Sequence, residues 1–337
     1  MIFPKKLDEN STIGVTAVSM GCIDETDILR LENAHKNLRE KGFNIIETKN
    51  VRTNKKLESS SAKDRANQFM ELIKNDEVDY VVAVSGGEIL LDMLPYLDFE
   101  EISKCRPKWI QGYSDPSLLN FIMTTKAGVA TINGVNYKSF GMEPWHEVIS
   151  KNIDFLKNPD TLVQDSFHMF EGARVETDNP YSGFYLNEKV LYKSLYNKEE
   201  TIKGRILGGC IDVISKIVGT RFDNTVKFCE QFDEGILWYI DNCELNIAEF
   251  YRVMWQLKVA NWFNNASGFL IGRTAVSKAM FDFDYLDSLH KIFDDLKVPV
   301  FYDVDIGHLP PQWIMINGSL GEFTFDNGKG RLVQKMI

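Results

Sequence analysis

Between residues 12 and 132, short runs of continuous apolar residues alternate with amphipathic stretches of helical length: TIGVTAV, ILRLENAHKNLREKG, FNIIET, AKDRANQFMELIKN, DYVVAV, EILLDMLPYL, KWIQGY, SLLNFIMTTKAG and GVATI. A strand without polar alternation is buried on both faces, and a parallel sheet covered by crossover helices provides that environment. This half of the chain is therefore expected to be α/β, a doubly wound domain around a parallel sheet. Ligands bind such sheets beyond the carboxyl ends of the strands. That rule directs attention to Ser85, Gly86 and Gly87 after DYVVAV, and to Ser114 after KWIQGY.

A chain of 337 residues exceeds what one core usually organises. From about Asn158 the pattern loosens into NPDTLVQDSF and TDNPYSGFYLNEKVLYKSLYNKEE, rich in Asn, Asp, Pro and Tyr. Strand-like GRILGG, GILWYI, GFLIG and VPVFYDV follow, then FTFDNGKGRLV with the hairpin signal Asn327-Gly328. The expected division is a domain over residues 1–160, a linker and loop region over 161–203, and a mixed α/β C-terminal domain over 204–337. After GILWYID, Asn246 and Glu249 have capping-box spacing ahead of a helix whose face is Ile247, Phe250, Met254 and Leu257.

Composition removes several classes of function. A net charge of −10 with no visible basic patch argues against nucleic acid or an anionic membrane as partner. MIFPKKLDENS lacks a signal-like apolar run and no stretch has membrane-span length, so the cytoplasm is the expected compartment. Five widely spaced cysteines without a C-x-x-C pair read as reduced thiols, and no histidine sits near a cysteine pair to suggest zinc. G-x-G-x-x-G after the first strand, G-x-x-x-x-G-K-[ST] and H-E-x-x-H are all missing, which leaves cofactor-free and metal-free chemistry.

Ser114 lies in G-Y-S-D-P, half of the G-x-S-x-G nucleophile elbow with Pro116 at the second glycine. On pattern alone the same residues read equally as a helix cap by Ser114 or Asp115. Ser85-Gly86-Gly87 reads as a tight turn or as a loop presenting N–H groups to an oxyanion. His308, in DVDIGHLPP, sits on a loop stiffened by Pro310 and Pro311, which suits a general base as well as a solvated histidine. Asp241 and Glu244 stand at a strand end before the capped helix, where a carboxylate can orient a partner or simply complement the helix dipole.

Taken together, TIGVTAVS, AVSGGEILLDMLPYLDFEEI, PKWIQGYSDPSLLNF, GRILGGCIDVISKIVGTRFD, ILWYIDNCELNIAEFYRVMWQLK, GFLIGR and DVDIGH occur in colinear order. In these segments the chain resembles the LD-carboxypeptidase family of serine peptidases, which includes the microcin C immunity peptidases. The resemblance implies a Ser-His-acid triad drawn from two domains: Ser114 as nucleophile, His308 as base, and Gly87 with the amide of Asp115 as oxyanion hole, Gly86 shaping the approach. It also implies no cofactor, a small peptide or peptidyl-nucleotide substrate, and a homodimer. The family's usual glutamate is replaced here by Asp241, about 1.5 Å shorter, with Glu244 as the possible alternative acid. Residues 132–137, INGVNY, depart from a histidine-glycine-proline run common in relatives. An aromatic segment over 177–196, with Tyr181, Phe184, Tyr185, Tyr192 and Tyr196, falls where the immunity peptidases stack on a nucleotide base. The expected activity is a serine peptidase acting on a peptidyl or aminoacyl amide. Murein tetrapeptide LD-carboxypeptidase and a catalytically weakened ligand-binding relative are the alternatives.

Overall fold

The computed structural model describes residues 1–173, 175 and 177–337, and all elements below belong to those residues. The chain divides into two compact units. The first comprises Met1–Asp160, Val175–Phe184 and Ile314–Ile316; the second comprises Thr161–Arg174, Tyr185–Trp313 and Asn317–Ile337.

In the first unit, β1 (Thr12–Thr16), β2 (Asn44–Glu47), β3 (Val78–Ala83), β4 (Trp109–Gly112) and β5 (Thr131–Asn133) pair in parallel in the order β5-β4-β3-β1-β2. A strand from the far end of the chain, β14 (Met315–Asn317), adds to the β5 edge. All of β4 and β5 is buried, as is all but one residue of β1 and of β3, which is why their sequences run apolar without alternation. The connecting helices are α1 (Glu25–Glu40), α2 (Ala62–Lys74), α3 (Phe99–Lys104), α4 (Pro116–Ala127) and α5 (Glu147–Lys157). Side chains of Asp24, Ser61 and Asp98 cap the first three by accepting the N3 amide. α4 is buried almost all round, its enclosed polar side chains Asn120, Thr124 and Thr125 hydrogen-bonded to backbone carbonyls, with Pro116 at its first turn and Gly128 ending it at φ 70°. Chain order reverses between β1 and β3, so the loops leaving these two strands open the crevice where such a sheet receives ligands.

The second unit holds an eight-stranded sheet in the order β6-β16-β15-β10-β11-β12-β13-β9. Its centre is parallel: β10 (Glu200–Cys210), β11 (Ile236–Asp241), β12 (Ala266–Gly272) and β13 (Val300–Val304). The flanks are antiparallel: β6 (Thr161–Asp165), β9 (Lys193–Ser194), β15 (Leu320–Asp326) and β16 (Lys329–Lys335). The β15–β16 turn uses Asn327 at φ 45° and Gly328 at φ 74°, the left-handed pair that the Asn-Gly signal calls for. Helices α6 (Ile211–Ile214), α7 (Thr225–Cys229), α8 (Ile247–Val259) and α9 (Tyr285–Phe293) complete the unit. α8 has both halves of the expected capping box between Asn246 and Glu249. The expected α/β class thus appears in both units, with parallel pairing dominating the first sheet and the centre of the second.

Residues 161–203, read as linker and loop, contribute β6, β9 and the start of β10 to this sheet, and β7 (Met169–Phe170) and β8 (Glu188–Lys189) form a separate ribbon. Strands of two residues leave no periodic trace, and β6 alternates exposed and buried residues over only five positions.

An aromatic core anchors the second unit: Trp238 stacks on Trp262 at 6.0 Å, and Phe263 meets Trp238 edge-on at 5.3 Å. Both tryptophans are fully buried. Trp238→Ala is expected to cost about 3–5 kcal/mol through lost burial and a residual cavity. A calorimetric scan should show the unfolding midpoint moving to lower temperature.

Candidate active site

Ser114 follows the buried strand β4 and sits one residue before the α4 entry, at φ 67°. A left-handed backbone is uncommon for a serine, and such strain survives only where neighbouring contacts fix it. Here they do. The N–H of Tyr113 donates to Asn136 Oδ1 at 3.2 Å, Asn120 Nδ2 donates to the Gly112 carbonyl at 2.9 Å, and the N–H of Ser117 donates to the Ser114 carbonyl at 2.9 Å. The result is a sharp strand-to-helix corner of the nucleophile-elbow kind, with the serine at its apex and partly exposed.

Asp115 is the N-cap residue of α4, yet its side chain makes no cap bond. Its Oδ2 instead accepts the Ser19 hydroxyl at 2.5 Å and the Leu90 N–H at 2.8 Å, tying together the loops that leave β1, β3 and β4. The same junction sets the glycine loop. The N–H of Met20 donates to the Gly86 carbonyl at 3.2 Å. Gly87 has φ 148°, and a Cβ there would lie 2.2 Å from Ser19 Oγ, so glycine is required on both counts. A Cβ on Gly86 would come within 3.2 Å of Ser114 Oγ, so this backbone lies directly against the serine side chain. Burial raises the Asp115 carboxyl above its ordinary range against the pull of Ser19 and Leu90, and Oδ1 is buried without a hydrogen-bond partner among the described residues.

In the second unit, the ends of the parallel strands supply the other candidates. Asp241 closes β11 and is buried; His308 follows β13 with its side chain about one quarter exposed. His308 Nδ1 lies 2.8 Å from Asp241 Oδ2. A carboxylate only accepts, so a proton placed between these two atoms belongs to Nδ1, and Nε2 faces away from the acid. Gly307, at φ 105°, lets the loop pass: a Cβ there would sit 2.5 Å from Asp241 Oδ1. Glu244 is exposed, and its backbone N–H donates to Asp212 Oδ1 at 2.9 Å. Of the two candidate acids, the carboxylate that meets His308 is that of Asp241. Ser114, Asp115 and Gly87 belong to the first unit, and Asp241, Glu244 and His308 to the second.

Three residues that the sequence reading did not single out shape these loops. Ser19 receives no motif signal beyond following β1, and Asn136 is the INGVNY residue that braces the serine corner. Asp212 gathers the amides of Cys243, Glu244 and Leu245 just beyond Asp241. Cys210, Asp241 and His308 each place a ligand-type atom within 4.8 Å of the others. The Cys210 thiol is held far up by burial and then by Asp241, so it remains protonated and donates to Asp212.

Of the aromatic segment, Tyr192 is buried and stacks with Phe323 at 6.5 Å, whereas Tyr185 is exposed. The described residues contain no helix long and apolar enough to cross a membrane.

Comparison with known proteins places both halves of the chain in one family. Residues 13–134 match the LD-carboxypeptidase N-terminal domain, and residues 203–323 match the LD-carboxypeptidase C-terminal domain. The chain belongs to the LD-carboxypeptidase family. Within it, the chain is 25% identical over 303 residues to the microcin C7 self-immunity protein MccF of Escherichia coli, covering 86% of this chain and 84% of that protein. The solved structure of microcin C7 self-immunity protein MccF in complex with aspartyl sulfamoyl adenosine superposes with a TM-score of 0.84 at 22% identity, covering 100% and 99% of the two chains. The muramoyltetrapeptide carboxypeptidase from Oxalobacter formigenes gives a TM-score of 0.74 at 18% identity, covering 96% and 98%.

The Asp115 carboxyl gives a pH test of this LD-carboxypeptidase family member. Its folded-state pKa is raised, so above the ordinary carboxylate range the unfolded chain ionises first and stability falls as pH rises toward the folded value. Asp115→Asn keeps an acceptor for Ser19 and Leu90 but removes the titration. As pH rises above about 4, the urea midpoint of wild type should decline relative to Asp115→Asn.

Proposed function

We propose that the chain is a serine peptidase that hydrolyses a peptidyl or aminoacyl amide through Ser114, His308 and Asp241. The observation that supports this most is the 2.8 Å approach of His308 Nδ1 to Asp241 Oδ2, which directs Nε2 away from the acid as the candidate base. Ser114 Oγ attacks the amide carbonyl while His308 Nε2 takes its proton. The negative charge on the carbonyl oxygen is met by the amides of Gly87 and Asp115, the latter at the positive end of α4. Collapse breaks the C–N bond, His308 returns the proton to the departing amine, and an ester on Ser114 remains. Water then attacks the ester with His308 again as base, releasing the acid and restoring the hydroxyl.

The shorter aspartate motivated the reading of a weakened ligand-binding relative. The 2.8 Å distance from its carboxylate to His308 Nδ1 supports catalysis instead. The substrate class we favour is an aminoacyl or peptidyl nucleotide of the kind microcin immunity proteins meet, a reading supported by the 25% identity to microcin C7 self-immunity protein MccF over 86% of this chain. The exposed ring of Tyr185 is suited to stacking on a base.

The test is a pair of substrates, an aminoacyl sulfamoyl adenosine and a murein tetrapeptide, followed by mass spectrometry of the products. Release of the amino acid from the nucleoside is expected; removal of only the terminal D-alanine would overturn the substrate assignment in favour of cell-wall recycling. Ser114→Ala should lower kcat/KM by about 10³-fold or more. Asp241→Asn should cost far more than Glu244→Gln, and the reverse order would reassign the acid.

A further inference from the structure

The four central strands of the second sheet end, side by side, in Cys210, Asp241, Arg273 and Asp305: Arg273 directly follows β12 and Asp305 directly follows β13. Two of these, Arg273 and Asp305, form an ion pair through Nη1 and Oδ1, with side chains 5% and 0% exposed. A buried pair of this kind costs desolvation and on its own is weak evidence of stability.

Its hydrogen bonds suggest another use. Asp305 Oδ2 accepts from the Tyr192 hydroxyl at 2.5 Å and from the Phe167 N–H at 2.7 Å. The Asp305 N–H donates back to Tyr192 Oη at 3.1 Å, and the Trp313 N–H donates to the Asp305 carbonyl at 2.6 Å. Arg273 Nη2 donates to the carbonyls of Leu309 and Pro311 at 3.2 and 3.1 Å, and its guanidinium lies 4.5 Å over the Phe170 ring. These contacts grip the chain three residues before His308, and one and three residues after it. The residue between, Gly307, would carry a Cβ 2.5 Å from Asp241 Oδ1 and 3.3 Å from the Arg273 carbonyl.

We infer that Arg273, with Asp305 and Tyr192, is the positioning device of His308: the planar guanidinium spans one carboxylate and two loop carbonyls and so fixes the imidazole against Asp241. This rests on the assignment of His308 as the base. Lysine cannot replace it, because one ammonium does not present that fork.

The experiment uses Arg273→Met/Asp305→Asn, which removes both charges while keeping an acceptor for Tyr192 and Phe167, and Tyr192→Phe as a milder second variant. Far-UV circular dichroism checks the fold. The low-field proton resonance of His308 Nδ1 is read in the unliganded protein, and kcat and KM are measured on the aminoacyl sulfamoyl adenosine. The double variant is expected to lose about 10²-fold in kcat with KM within about threefold, and its low-field resonance to move upfield or broaden away. If the double variant does not fold, the smaller shift expected in Tyr192→Phe carries the test. A resonance unchanged in the folded variants overturns the inference, whatever the rates do. A resonance that moves in an enzyme whose turnover is indifferent to Ser114→Ala would sustain the clamp while removing the hydrolase reading.

Discussion

The contact between His308 and Asp241 joins two strand ends that are not neighbours. β12 lies between β11 and β13, so the histidine loop must cross one strand end to reach the acid. The sheet makes that crossing feasible because four parallel strands deliver their carboxyl ends to one edge, and each of the residues there is polar or a thiol. Gly307 removes the side chain that would collide with Asp241, and the positive φ it adopts is open to glycine at no cost. The aspartate side chain is long enough to bring Oδ2 within 2.8 Å of His308 Nδ1.

The first unit reaches an analogous solution with different parts. Three loops, from β1, β3 and β4, converge on one buried carboxylate, Asp115, whose elevated pKa reflects the cost of enclosing it. That cost maintains the relation between the glycine loop and the serine corner: Ser19 and Leu90 are bonded to Asp115, and Gly86 is packed against Ser114. Preorganised amides of this sort are where a hydrolase gains most over water, since they need no rearrangement as charge develops.

Much of this was legible in the sequence, for physical reasons. Strands β1, β3, β4 and β11 are buried on both faces and so read as continuous apolar runs. The capping box of α8 and the Asn327-Gly328 turn are local chemistry and appeared as expected. Ser19, Asn136, Arg273 and Asp305 were not legible as site residues. Their partners lie 23 to 113 residues away, and a polar pair formed by tertiary structure leaves no period or spacing behind. Sheet strands within 161–203 were missed because edge strands of two to five residues carry too few positions to alternate.

The central claim is that a histidine held by Asp241 activates the hydroxyl of Ser114. An aryl fluorophosphonate reacts only with an activated serine, so the rate of adduct formation, followed by intact and peptide mass spectrometry, measures this directly. The account predicts a single adduct on Ser114, forming about 10²-fold or more faster in wild type than in His308→Ala. No adduct, or one that forms at the same rate without His308, would contradict it.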